Sequence, residues 1–266
     1  MRSIRRQRDA AAANGGLVLA RATETWHIAS VSWGKDSLAM LLMLIERGYA
    51  LDEVVYYDTG MEFQAIYDTR DAMLATLDAH GITYTELRPK NPMWWDMFCR
   101  PVRKRGTGDV HRRGYGWCGG LCRWGTKTKT SAIDRYAREK GAVQLVGIAA
   151  DETERLERAN NAGHVHPLAE WGVTEAEALA YCYSRGFEWM ERGVRLYDVL
   201  DRVSCWCCRN KNLRELNAIY HNLPQYWDKL RALQSYIEEP YKPPYTIFDL
   251  EERFAKKGRQ RGLWEV

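Results

Sequence analysis

Four short β-rich runs separated by stretches of helical apolar spacing restrict this chain to an α/β fold. Residues 26–31 (WHIASV) are a β-like run, and residues 36–47 (DSLAMLLMLIER) follow with helical spacing and stop at Gly48. Residues 51–57 (LDEVVYY) form the second run and break at Asp58-Thr59-Gly60, after which residues 62–80 read as a helix ended by Gly81. Residues 82–87 alternate as a third strand, 132–140 read as a helix, and 142–148 (AVQLVGI) are continuously apolar, as a strand buried on both faces should be. Strands alternating with helices imply parallel pairing through right-handed crossovers. The expected architecture is an open, mainly parallel five-stranded sheet with helices on both faces, plus a C-terminal helical segment.

The remaining chain divides around that layer. Residues 88–125 hold three prolines, seven glycines and the basic run RPVRKRGTGDVHRRG, with no periodic element. Loops that long inside a compact domain carry function or lack order. Thr174 with Glu177 three residues later has the pattern of a capping box, residues 211–221 and 225–237 read as two further helices around Pro224, and the tail from Lys256 is basic and expected to be mobile. The plan is therefore an N-terminal arm at 1–25, a nucleotide-type α/β domain at 26–170 with a cysteine-bearing loop at 88–125, and a C-terminal helical segment at 171–266 carrying a second cysteine cluster and the basic tail. At the amino end basic residues precede apolar ones, as in an export signal, but Asn14, Gly15 and Gly16 interrupt the run and Arg21 ends it. No stretch nears the roughly 20 apolar residues of a membrane span. The chain is read as cytoplasmic, with no membrane partner.

A helix start that follows a strand in a parallel sheet offers unpaired N–H groups and a positive dipole end to an anion. Here that junction reads Ser30-Val31-Ser32-Trp33-Gly34-Lys35-Asp36-Ser37. The two serines supply hydroxyls, Gly34 permits close backbone approach, and Lys35 adds charge. The spacing is not that of a Walker A loop. The same residues also suit a plain capped helix with Asp36 or Ser37 at its start, so chemistry alone leaves both readings standing.

Seven cysteines make an odd count, and five of them fall into two groups, Cys118/Cys122 and Cys205/Cys207/Cys208. Grouped thiols in a chain without an export signal point to a metal or cluster site rather than to disulfides. Two pairs on glycine-containing turns can supply four ligands to a [4Fe–4S] cluster or a structural zinc; the ligand set read here is Cys118, Cys122, Cys205 and Cys208, with Cys207 spare, either as a thiol for chemistry or as a core residue. Cys99 and Cys182 stand apart and suit ordinary packing. Asp58 and Glu62, around Thr59-Gly60 at a strand end, can hold Mg²⁺ with a triphosphate or serve as helix-start acids. The net charge of +4 permits a polyanion partner without requiring one. Arg100, Arg103, Lys104, Arg105, Arg112 and Arg113 form the one dense basic cluster, suited to steering a nucleic acid or a nucleotide or to a solvated loop.

Five motifs in order resemble a known family. Ser32 to Ser37 (SWGKDS) is similar to the SGGKDS pyrophosphate loop of PP-loop ATP pyrophosphatases, and DTGMEF at 58–63 resembles the segment after strand two in the phosphoadenosine phosphosulfate (PAPS) reductase family. GIAADE at 147–152, with Arg155 and Arg158 behind it, resembles the family's stretch after strand four; His166-Pro167-Leu168 with Trp171, and 202–208 with its cysteines, resemble two more. The resemblance implies an adenine nucleotide alpha hydrolase-like fold. It also implies an ATP site built from Ser30, Ser32, Trp33, Gly34, Lys35, Asp36, Ser37, Asp58, Thr59, Glu62 and Gly147, with Lys35 and Asp36 catalytic. It favours iron–sulfur over zinc. Two departures stand out: Trp33 replaces the first loop glycine, which requires a negative φ or a strain cost, and Ala149 stands where the family often has Arg. PAPS reductases also carry a nucleophilic cysteine near the carboxyl end, whereas 58 residues follow Cys208 without one. The activity expected is ATP cleavage between the α and β phosphates to adenylate an acceptor, followed by sulfur transfer from the cluster or from Cys207, with a nucleic acid as a possible acceptor and a cysteine desulfurase as a possible sulfur donor. A (P)APS reductase-like enzyme and a non-catalytic nucleotide-binding module with a structural metal are the alternatives.

Overall fold

A computed structural model describes residues 25–120, 122–158 and 163–262; the expected arm at 1–25 lies outside them except for Thr25. In chain order the elements are β1 His27–Ser30, α1 Lys35–Glu46, β2 Glu53–Tyr57, α2 Gln64–Ala79, β3 Thr83–Leu87, α3 Met93–Phe98, β4 Pro101–Arg103, β5 Val110–Arg113, a π-helix at Arg123–Thr128, α4 Lys129–Glu139 and β6 Val143–Val146. There follow α5 Thr153–Leu156, α6 Pro167–Glu170, α7 Glu175–Ser184, β7 Met190–Glu191, β8 Val194–Arg195, α8 Leu196–Val199, α9 Leu213–Asn222, α10 Pro224–Gln234 and α11 Ile247–Gly262.

The central sheet is parallel, in the order β3-β2-β1-β6, with Ser30 at the end of β1 paired to Val55 on one side and Val146 on the other. The fifth strand expected from the sequence is reduced to one residue: Val165 makes a single parallel bridge to Leu145. Gly163 at φ 96° precedes it and Pro167, which lacks an N–H and opens α6, follows, so no longer run can pair there. Alternation along β1 and β2 separates two faces. Ala29, Val54 and Tyr56 join the large core with Leu38, Leu41 and Leu44 of α1 and Ile66, Met73 and Leu77 of α2, whereas Ile28, Val55 and Tyr57 pack with Ile133 and Ala137 of α4. The C-terminal helices share the large core through Leu216, Ile219, Trp227, Leu230 and Phe254.

Two sequence expectations change. The loop at 88–125 contains α3, the antiparallel hairpin β4–β5 and the π-helix. All four residues of β5 are exposed, so no apolar alternation marks the hairpin, and six residues of α3 are too few to show a helical period. The basic tail also begins within a helix: Thr246 and Asp249 cap each other at the start of α11, whose backbone continues to Gly262, and 263–266 lie outside the described residues. The box at Thr174 and Glu177 forms as its sequence pattern implies.

Glu53 is fully buried in β2, where its carboxylate accepts from Trp26 Nε1 (3.0 Å), Thr85 Oγ1 (2.5 Å), Tyr136 OH (2.6 Å) and Lys140 Nζ (2.6 Å). These bonds tie β1, β2, β3 and α4 together. Burial alone would raise its pKa, but the four donors, Lys140 foremost, outweigh it and hold the carboxyl below its ordinary 4.5. Its contribution is therefore complete above about pH 4.5 and is lost as pH falls through the lowered folded value. Chemical denaturation of Glu53→Ala should show a loss of about 1–3 kcal/mol, because three partly buried neutral donors lose their acceptor while Lys140 is solvated; Glu53→Gln should flatten the acid limb of the stability profile.

Trp33 adopts φ 63° and is fully buried, its ring set edge-on to Tyr56 at 6.3 Å and tilted against Tyr84 at 6.0 Å. The strain anticipated for a bulky residue at this loop position is therefore present, and the side chain lies in the core, away from the face that a phosphate would approach. Left-handed backbone costs about 1–2 kcal/mol for an L-residue, whereas emptying the site of a buried Trp costs about 3–5 kcal/mol. Trp33→Gly should consequently lower unfolding free energy by about 2–3 kcal/mol in urea titration despite relieving the backbone.

Candidate functional site

The loop after β1 is built from its own hydroxyls. Ser37 Oγ accepts from the Ser32 amide at 3.1 Å, lies 3.1 Å from Ser32 Oγ, and donates to Gly34 O at 3.1 Å. Gly34 is the N-cap of α1, and the Lys35 amide at the open helix end donates to Tyr197 OH at 2.8 Å. A Cβ on Gly34 would sit 3.2 Å from that hydroxyl. At Gly147, just past β6, a Cβ would fall 2.8 Å from Ser37 Cα and 2.9 Å from Asp36 O. Only glycine lets the strand end lie against the first turn of α1, so Gly147 shapes the cradle by its bareness.

Lys35 Nζ does not extend into solvent; it donates to Asp36 Oδ1 at 2.8 Å and to Glu175 Oε1 at 2.7 Å. Burial pulls the ammonium down, but Asp36 and Glu175 outweigh it and hold its pKa above the ordinary value. Burial pushes the Asp36 carboxyl up against the pull of Lys35, and Glu175 and Glu152 add to the rise. Asp36, Glu152 and Glu175 bring their carboxylates within 4.8 Å of one another, the single group of three ligating side chains at that spacing among the described residues. Hard oxygen donors so placed suit Mg²⁺.

Asp58 and Glu62 are held by short-range hydrogen bonds. Asp58 Oδ1 accepts from the Gly60 amide and from Tyr67 OH, each at 2.8 Å, and Glu62 Oε1 accepts from Thr59 Oγ1 at 3.2 Å. Sequence reasoning missed Glu175 and Tyr197. Glu175 was legible only as a helix-start acid after the Thr174 cap, and Tyr197 carried no signal, because its part depends on folding back across 162 residues.

The five grouped cysteines converge from two loops. Cys118 Sγ lies 3.6 Å from Cys207 Sγ and donates to Cys207 O at 3.2 Å, the Arg209 amide donates to Cys118 O, and Asn210 exchanges hydrogen bonds with Gly120. The Gly125 amide donates to Cys122 Sγ at 3.3 Å. The sulfurs of Cys122, Cys207 and Cys208, together with burial, push the Cys118 thiol well above its ordinary value. Cys208 moves the other way, to about 6, because Cys118 hydrogen-bonds its sulfur and the Asn210 amide and Lys211 favour the thiolate. Cys205 faces elsewhere: its sulfur is 3.6 Å from Thr59 Oγ1 and 3.7 Å from Glu62 Oε1, and burial with the Glu62 charge raises its pKa. Cys207 is fully buried against Cys118, and Cys205 is the thiol turned toward the strand-two turn. Trp117, Trp206 and Tyr241 enclose the group in apolar surface. Cys182 is buried, donates to Lys35 O, and is pushed up to about 12, while Cys99 is half-buried; both lie apart from the cluster, as expected.

One segment joins the two halves of the site. Val203 O lies 4.0 Å from the Cβ position of Gly34, the Trp206 amide donates to Met61 O at 3.0 Å, and Cys207 meets Cys118. Residues 203–208 therefore run from the phosphate loop, past the Thr59–Glu62 turn, to the thiols.

No helix among the described residues is long and apolar enough to cross a membrane. An uncharacterized protein, MJ0066 of Methanocaldococcus jannaschii, is 26% identical over 254 residues, covering 88% of this chain and 44% of that protein. The chain thus spans less than half the length of this relative. Among solved structures, the U34-tRNA thiolase NcsA from Methanococcus maripaludis with its [4Fe–4S] cluster is similar at 13% identity and a TM-score of 0.43, covering 88% of this chain and 72% of that chain. The phosphoadenosine phosphosulfate reductase domain matches residues 27–185, from the first residue of β1 through α7, which is more than half of the sequence. The chain belongs to the phosphoadenosine phosphosulfate reductase domain family.

Proposed function

We propose that this protein cleaves ATP between the α and β phosphates to adenylate an acceptor, and that sulfur then replaces the activated oxygen. The observation that carries the reading is the segment 203–208, which brings thiols to the phosphate cradle. Ser32, Gly34, Ser37 and the first turn of α1 would hold the pyrophosphate, with Lys35 drawn from its carboxylates onto the charge that develops on the leaving group. Asp36, Glu152 and Glu175 would hold Mg²⁺, and Asp58, Thr59 and Glu62 would face the nucleotide. In the first step the acceptor oxygen attacks the α phosphorus and the bond to the bridging oxygen of pyrophosphate breaks. In the second, the outer sulfur of a persulfide on a donor protein such as a cysteine desulfurase attacks the activated atom and AMP leaves with that oxygen. A second thiol such as Cys205 would then take the donor's inner sulfur as a disulfide, supplying the two electrons that release the thiolated product. The acceptor classes that fit are tRNA, DNA or a small molecule.

The four thiols of Cys118, Cys122, Cys207 and Cys208 fit a [4Fe–4S] cluster. A tetrahedral zinc with bonds of about 2.3 Å draws its sulfurs to about 3.8 Å from one another, and Cys118 Sγ and Cys207 Sγ stand 3.6 Å apart, so zinc is the alternative occupant of the same four thiols. Amide donation to Cys122 also matches the hydrogen bonding that cluster sulfurs receive. The cluster, when bound, would supply a sulfur-binding position beside the nucleotide. Cys205, at Thr59 and Glu62, stands between the two, as the thiol left over for chemistry in place of Cys207. Trp33, the residue that motivates a non-catalytic module, is fully buried in the core.

Pyrophosphate release in the presence of a broad acceptor pool should fall at least about 100-fold in Lys35→Ala; unchanged release in that variant, or none from the unmodified protein, defeats adenylation. Anaerobic purification should give about four irons with matching sulfide. Cys118→Ser and Cys207→Ser should lose iron while Cys205→Ser keeps it. One zinc and no iron would leave a structural metal in place of a sulfur-handling cluster.

A further inference from the structure

The charge of the chain is not spread evenly. Residues 100–113 hold six Lys and Arg against one Asp, a net +5, while the whole chain carries +4, so the other 252 residues sum to −1. That entire positive excess sits on the β4–β5 hairpin and its root. Elsewhere Arg88, Arg155, Arg185, Arg209, Arg214 and Arg231 each pair with a carboxylate. On the hairpin, Arg100 pairs with Asp96 and Arg103 donates to Gly108 O, but Lys104, Arg105, Arg112 and Arg113 have no ion pair among the described residues. An unneutralised cluster of this kind repels itself and is stabilised by a polyanion.

We propose that this hairpin is an arm that docks the protein on double-stranded DNA. The inference rests on the reading that the acceptor is a nucleic acid, and it names which one. A two-stranded ribbon is an element that the roughly 12 Å major groove of B-form DNA admits, whereas the major groove of an RNA duplex is too deep and narrow. Successive strand residues point to opposite faces, so Arg112 and Arg113 address the phosphate rows on either side of such a groove. Both faces of β5 are exposed and free to do so. The root is firm where the tip is open: the Gly114 amide donates to Arg100 O at 2.7 Å, the Gly116 amide to Met97 O at 2.8 Å, and Phe98 packs edge-on to Trp117 at 5.0 Å. Gly114, at φ 67°, has no room for a side chain, since a Cβ would lie 2.1 Å from Met97 O. From Arg113 the chain reaches Cys118 in five residues, a span of at most about 17 Å. DNA held on the arm is thereby brought to the thiols.

The test is binding of a 30-base-pair DNA duplex, followed by fluorescence anisotropy without ATP, so that its outcome is independent of whether pyrophosphate is released. Parallel samples contain the matching RNA duplex and anionic lipid vesicles. Four phosphate contacts give a slope of about −3.6 in log K against log salt, an approximately 100-fold loss of affinity between 50 and 200 mM. The Lys104→Ala/Arg105→Ala/Arg112→Ala/Arg113→Ala variant should lose most of that slope and bind at least about 10-fold more weakly at 50 mM salt. Changing the three arginines to lysine instead should retain the slope. All four residues are exposed, so an unchanged melting curve will show that the quadruple variant is folded. Binding that is unaffected by the quadruple variant, tighter binding to the RNA duplex or to the vesicles, or no binding to DNA would overturn the proposal.

Discussion

Trp33 is held at φ 63° because its ring has nowhere better to be than between Tyr56 of β2 and Tyr84 of β3, and because Trp189 Nε1 donates to its carbonyl at 2.8 Å. Burial of one large side chain outweighs the backbone strain, and the consequence is a phosphate loop pinned from below by the sheet and from the side by the C-terminal segment. On the loop's outer surface Ser32 is exposed, while the Lys35 amide at the start of α1 is taken by Tyr197 OH. A glycine at this place would turn without strain but would not anchor the loop to anything. The departure from the glycine of related loops is thus compatible with an open cradle, and it couples the cradle to residues more than 150 positions away.

That coupling continues through the C-terminal chain. Tyr197 closes on the Lys35 amide, Val203 passes Gly34, Trp206 bonds Met61, and Cys207 meets Cys118. Each contact is modest by itself, about 1 kcal/mol for an ordinary hydrogen bond. Together they set the relative position of phosphate loop, strand-two turn and thiols. The spacing within C-W-C-C matters here. Cys205 and Cys207 fall on different sides of a tight turn, one facing Thr59 and Glu62 and the other facing Cys118.

Charge is arranged in two opposed regions. Asp36, Glu152 and Glu175 gather negative charge at the loop, where Lys35 neutralises part of it and a divalent cation can neutralise more. The β4–β5 hairpin concentrates positive charge at the far end of the same cysteine-bearing loop. The acidic group and the basic hairpin are thus separate, and the turn from Gly114 to Trp117 joins the hairpin to the thiol-bearing loop.

The alternating pattern of β-rich and helical runs determined the parallel sheet, because a period of two or of 3.6 residues is a local property that needs no partner to be read. The loop at 30–37 and the grouping of the cysteines were legible for the same reason: spacing within a few residues limits which atoms can converge. Only the tertiary structure decided which thiol joins Cys118, since Cys205 and Cys207 differ by two residues and nothing local distinguishes the side of a turn from its other side. It likewise decided that Glu175, 140 residues from Lys35, completes the acidic group, and that Trp33 is buried. The hairpin escaped notice because its strands bury neither face, and a hydrophobic pattern exists only where a face is buried. Local periodicity is written along the chain, whereas convergence of distant side chains depends on how packed elements cross, and that is set by the whole core at once.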